Sequence, residues 1–131
     1  MGVPDVVVDA SSIVELLLGG AAGDATELRL RDCALHAPAH LDAEVLSALG
    51  RLHRADRLSA RAVHVRLERF IATPIERHPL APLLEAGWRS RANLRLQDGL
   101  YGALSDLLDA PVITTDRRLA GALKSAELIE S

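Results

Sequence analysis

The chain has 131 residues and a formal net charge of −3; 49% of its residues are hydrophobic and only 2% aromatic. That length and hydrophobicity predict a single folded domain, residues 1–131, with an aliphatic core, and exclude a disordered chain. The scarcity of aromatics argues against a binder that stacks successive bases on aromatic platforms, and the lone Cys33 excludes an internal disulfide and argues against a cysteine-based zinc site.

In chain order, "DVVVD" (Asp5–Asp9) is a β-branched run bounded by acids and reads as a buried strand. "ASSIVELLLGG" reads as a helix capped by Ser11 or Ser12 and stopped by Gly19–Gly20. A second helix is expected over Ala21–Cys33, then a brief strand over Ala34–Pro38. Two helices follow: His40–Arg57, with Leu41, Val45, Leu46 and Leu49 on its apolar side, and Leu58–Ala72, capped by Ser59. Thr73–Pro79 reads as a short strand and Leu80–Arg91 as a helix carrying Trp88, expected as a buried or interface anchor. A helix starting at Asp98 runs to Ala110, "PVIT" (Pro111–Thr114) is the next strand, "DRRLAGALKSA" a short helix, and "ELIES" a terminal strand. Strands alternating with helices predict an α/β fold: a mainly parallel sheet of about four to five strands, covered on both faces. The acid in the first apolar stretch and the lack of a basic start argue against a signal peptide, and no apolar run is long enough to cross a bilayer. The expected setting is cytoplasmic, with no membrane partner.

In a parallel sheet, ligands bind beyond the carboxyl ends of the strands. Asp9 follows the first strand and Asp116 the fourth, so both belong on the same edge. Glu44 sits in the first turns of an apolar-faced helix, and Asp98 opens another. Taken singly, Asp9, Asp98 and Asp116 read as helix caps and Glu44 as a partner of its helix dipole. Taken together, four carboxylates converging on one pocket would repel and raise one another's pKa values unless a cation lay among them. An oxygen-only ligand set selects a hard ion, Mg2+ or Mn2+, whose coordinated water can serve phosphodiester hydrolysis. Ser11 and Thr114 are placed to support a ligand carboxylate or a coordinated water.

The blocks "VVVDASSIVELLL", "PAHLDAEVLSAL", "LRLQDGLYGAL" and "PVITTDRRLAGA" resemble the four acidic blocks of PIN-domain ribonucleases, and more narrowly the VapC toxins of bacterial toxin–antitoxin (VapBC) pairs. The resemblance covers essentially the whole chain, in order. It implies a three-layer α/β/α fold and a Mg2+- or Mn2+-dependent endoribonuclease acting on RNA. It also implies a homodimer and a cognate VapB-type antitoxin that covers the active site in a toxin–antitoxin hetero-oligomer. By position, the family's four acids fall on Asp9, Glu44, Asp98 and Asp116, with Ser11 and Thr114 at the small polar positions. Where some family members carry a further acid, this chain has Arg117 and Arg118, which are expected to contact RNA or, for Arg118, to pair with a site carboxylate.

Other features read as ordinary structure. Asp5 is expected at the opposite sheet edge, in solvent, and Asp42 as a first-turn charge. Arg51, Arg54, Arg57, Arg61, Arg66 and Arg69 read as a solvated helical face rather than an RNA track. His36, His40, His53, His64 and His78 show no zinc-helix spacing and read as surface or helix-end residues. Two other functions stand beside the nuclease: a receiver-like phospho-acceptor module, and a PIN scaffold that binds RNA or a protein partner without catalysis. The first lacks the paired acids expected after the first strand.

Overall fold

Val6, Val7 and Val8 are each at most 1% exposed and lie at the middle of the sheet. Successive strand residues point to opposite faces, so a strand buried on both sides must be apolar at every position. In this computed structural model, which describes residues 2–131, the elements are β1 (Asp5–Val8), α1 (Ala10–Leu18), α2 (Gly20–Leu30), β2 (Ala34–Pro38), α3 (Leu41–Arg54), α4 (Ala60–Ala72), β3 (Ile75–His78), α5 (Leu84–Arg89), α6 (Leu96–Leu108), β4 (Val112–Thr114), α7 (Arg117–Ala122) and β5 (Ala126–Leu128). The strands form a five-stranded sheet in the order β3-β2-β1-β4-β5, and every adjacent pair is parallel.

Two cores cover the two faces. Val6 and Val8 pack with Ile13 and Leu17 of α1, Leu41, Val45 and Leu49 of α3, and Phe70 of α4. Val7 and Val112 pack on the other face with Leu100, Tyr101 and Leu104 of α6 and Leu119 of α7. Each such aliphatic side chain taken out of water contributes about 1.5–3 kcal/mol. The expected three-layer α/β/α arrangement is therefore the observed one. Because all strands run the same way, the loops after β1 and β4 and the starts of α3 and α6 gather at one end of the sheet.

Most expected elements are present, with shifted ends. Asp9 itself caps α1, displacing Ser11 and Ser12 from that role. The segment after β3 splits into a single 3-10 turn, Ala81–Leu83, and the short α5, since Pro82 occupies the first turn. Trp88 is not buried: it is 57% exposed, with the Arg91 guanidinium 4.5 Å above its ring. Asp42 does more than favour a helix start, because it accepts two hydrogen bonds from Arg77 at 2.9 and 3.1 Å. No helix among the described residues is long and apolar enough to cross a membrane.

The turn between α1 and α2 needs glycine twice, at Gly19 (φ 81°) and Gly20 (φ 76°). It folds α2 back so tightly that a Cβ on Gly23 would lie 2.6 Å from the Glu15 carbonyl oxygen. Backbone cannot withdraw as a side chain can. Gly23→Ala is therefore expected to lose about 1–3 kcal/mol in urea unfolding, while Gly121→Ala, whose Cβ meets open space, should be neutral or slightly stabilising.

Candidate active site

Asp9 is the most constrained acid of the chain, only 4% exposed. Its Oδ1 accepts the Ser12 backbone N–H at 2.9 Å, which caps α1. Its Oδ2 accepts the Thr114 hydroxyl at 2.5 Å, and the Ser11 hydroxyl reaches both oxygens at 2.9 and 3.0 Å. The same two hydroxyls order the β4–α7 loop: Ser11 Oγ accepts the Thr115 N–H and Thr114 Oγ1 the Asp116 N–H, each at 3.0 Å. Burial pushes the Asp9 carboxyl above its ordinary value, and the hydrogen bonds from Thr114, Ser12 and Ser11 offset part of that rise.

Asp116 caps α7, accepting the Arg118 and Leu119 N–H groups at 2.9 and 3.3 Å. Its other oxygen meets Arg118 Nη2 at 3.1 Å, and the same nitrogen donates to Asp98 at 2.7 Å. Arg118 thus bridges the acid that opens α7 and the acid in the first turn of α6. Asp98 is largely covered, its side chain 15% exposed. Arg117 instead faces Glu130, 3.6 Å away.

Glu44, in the first turn of α3, accepts the Tyr101 hydroxyl at 2.6 Å, and His40 Nε2 stands 3.5 Å from the same oxygen. Tyr101 is 1% exposed. Burial raises its pKa most, followed by the charge of Glu44, with smaller contributions from Asp9 and Asp98. This phenol therefore stays a proton donor, and three of the four acids bear on it. The structure gathers the four at one end of the sheet, though held apart by their own partners: Tyr101 on Glu44, Thr114 and Ser11 on Asp9, Arg118 on Asp98 and Asp116.

A cleft of about 610 Å³ opens beside them, lined by Ser11, Glu15, His40, Glu44, Arg51, Arg95, Gln97 and Thr115 among others. Arg51 is therefore part of the cleft wall and not merely one of a solvated row. Tyr101, His40 and Arg95 are additions that sequence reading did not single out. For Tyr101 a signal was present, three residues after Asp98 on the same helix face.

The family model described as "PIN domain" matches residues 6–122. Over 125 residues the chain is 47% identical to ribonuclease VapC3 of Mycobacterium tuberculosis, covering 95% of this chain and 91% of that protein. Among solved structures, PAE2754 of Pyrobaculum aerophilum superposes with a TM-score of 0.68 at 22% identity, covering 95% of this chain and 82% of that one. VapC20 of Mycobacterium tuberculosis, described as a sarcin–ricin-loop-cleaving toxin, superposes with a TM-score of 0.67 at 16% identity over 89% and 94% of the two chains.

Burial of Asp9 makes a prediction about stability. An aspartate in the unfolded chain titrates near 3.8, and folded Asp9 titrates higher. Between those values the native state binds more proton than the unfolded one, so stability falls as pH rises through the folded pKa and stays reduced above it. Asp9→Asn carries no charge to desolvate. In chelator-treated protein at neutral pH it should melt higher than wild type, on a scale of about 4 °C per kcal/mol. The gap should close as pH is lowered toward the ordinary carboxylate range, as read by thermal unfolding against pH.

Proposed function

The chain belongs to the PIN-domain family, and from that premise we propose that it is a VapC-type endoribonuclease that hydrolyses RNA phosphodiester bonds with a divalent ion, Mg2+ or Mn2+, held by Asp9, Glu44, Asp98 and Asp116. Its high identity to a ribonuclease along nearly its full length supports the nuclease activity. The observation that carries the site assignment is the bridging of Asp98 and Asp116 by a single guanidinium nitrogen, next to Asp9 on the same sheet edge. Two of the four carboxylates share that arginine, and the side-chain donors of all four acids are oxygens, the set that suits a hard cation.

A bound ion would supply Lewis acidity toward a phosphate oxygen and a more acidic water. The chain's own residues do the rest. Thr114, Ser11 and the Ser12 N–H fix both oxygens of Asp9, so its lone pairs are aimed before any ligand arrives. The Tyr101 hydroxyl holds Glu44 in the same way. Arg118 offsets part of the charge of Asp98 and Asp116 in the free protein; an ion held by those acids would let its guanidinium turn to a phosphate of the RNA. Arg51 and Arg95 provide further phosphate contacts along the cleft.

The toxin role, neutralisation by a cognate VapB-type antitoxin, a homodimer and a toxin–antitoxin hetero-oligomer belong to the same proposal. An apolar hollow lined by Leu84, Trp88, Leu96 and Leu100 supports a protein partner; the first three are each more than half exposed. A receiver-like module is disfavoured by Lys124, which lies in the turn entering β5, at the sheet edge opposite the acids.

Asp9→Asn and Asp116→Asn should each lower Mg2+-dependent RNA cleavage by more than about 100-fold with the fold intact by circular dichroism. Thr114→Ala should lose about 10- to 100-fold, the usual effect of removing a group that orients a ligand. Cleavage at wild-type rates in both Asp variants would refute the assignment. Arg118→Gln should bind Mn2+ more tightly than wild type in calorimetric titration, because a competing cation is gone, yet cleave RNA more slowly; unchanged Mn2+ affinity would remove Arg118 from the site.

A further inference from the structure

The parallel register assembles a second constellation that neither the acidic site nor the RNA cleft uses. Asp5 pairs with Ala34 and Val7 with His36, while His36 pairs with Glu76 and Pro38 with His78. Residues two apart on a strand share a face, so Asp5, His36, Glu76 and His78 all project on one side of the β1-β2-β3 edge. His36 is the hub, its side chain 10% exposed. Its Nε2 lies 2.9 Å from Asp5 Oδ1, its Nδ1 2.9 Å from His78 Nε2, and the same Nδ1 3.3 Å from Glu76 Oε2. Among the described residues, this is the place where three His, Cys, Asp or Glu ligand atoms come within 4.8 Å of one another.

The geometry points to a binding site for a borderline divalent ion of the zinc class, with His36, Glu76 and His78 as ligands. A carboxylate can only accept, so Nε2 of His36 carries the proton given to Asp5; in the neutral ring Nδ1 then offers a lone pair, which accepts the Nε2–H of His78 in the metal-free protein. A divalent ion can replace that shared proton, because His36 Nδ1, His78 Nε2 and a Glu76 oxygen all lie within 4.8 Å of one another. Asp5 plays the part of the outer carboxylate that fixes tautomer and ring orientation in many metal-bound histidines. Two imidazoles and one carboxylate favour Zn2+, Co2+ or Ni2+ over Mg2+, and three protein ligands leave a tetrahedral ion one open position. His78 presents Nε2 to the ion with its own proton on Nδ1. The bound ion ties the edge strand β3 to β2, and through Asp5 to β1.

The test is zinc uptake by metal-free protein, read by competition with a chromophoric chelator in millimolar Mg2+. Wild type should take up Zn2+ at this site, His78→Ala should lose it, and Glu76→Gln and Asp5→Asn should weaken it by about 10- to 100-fold. Glu76 is exposed at the strand edge, so its variant keeps the fold and should retain Mg2+-dependent RNA cleavage. An Asp98→Asn, Asp116→Asn double variant should keep the zinc affinity, which separates this site from the acidic one. Equal zinc affinity in wild type, His78→Ala and Glu76→Gln, whether tight or undetectable, would overturn the inference, as would loss of zinc in the acidic double variant.

Discussion

One buried carboxylate organises this molecule. Asp9 ends β1, caps α1, and takes the hydroxyl of Thr114, which lies 105 residues further along the chain. Ser11 and Thr114 then pass the constraint on to the backbone of the β4–α7 loop. The position of Asp116 is thus set by the same hydroxyls that hold Asp9. A neutral residue at position 9 would be cheaper to bury, but it would not combine the helix cap and the cross-sheet tie with a negative charge in one group. The raised pKa of Asp9 records that cost, which hydrogen bonding only partly offsets.

Charge is managed the same way across the rest of the site. Glu44, Asp98 and Asp116 are each tied to a donor on a neighbouring element: Tyr101 on α6, or Arg118 on α7. The hydroxyl of Tyr101 is held protonated by burial and by the surrounding negative charge, so it serves as a donor throughout the neutral range. Arg118 is the more solvent-accessible partner, its side chain 42% exposed. The four carboxylates are thus ordered by one buried phenol, one half-exposed guanidinium and the two hydroxyls on Asp9.

The sheet edge was legible in the sequence because burial on both faces leaves an unambiguous β-branched run, and because parallel topology puts every strand end at one edge. From Val6–Val8 and Val112–Ile113 alone, Asp9 and Asp116 could be brought together across more than a hundred residues. Helix ends were less legible: side-chain oxygens at Asp9, Ser11 and Ser12 compete for the same cap, and only the strand's last residue decides. Tyr101 escaped notice because a tyrosine on an apolar helix reads as core until its hydroxyl is seen to face a carboxylate. Trp88 departs from the buried alternative for the converse reason, since the short α5 that follows the Pro82 turn presents it outward, against Arg91. The histidines failed for a reason of register. His36 and His78 are 42 residues apart on different strands, and no local spacing reveals a cross-strand neighbour.

That register also explains how Asp5 and Asp9 can do unrelated things on one strand. Four residues of β-strand separate them by about 13 Å, one at the entry of β1 and one beyond its exit. At the entry, Asp5 meets the His36 Nε2 from β2; at the exit, Asp9 meets hydroxyls from α1 and β4. Nitrogen-rich and oxygen-only surroundings prefer different ions. Among the described residues, no hydrogen bond or ion pair runs from the histidine cluster to the four acids.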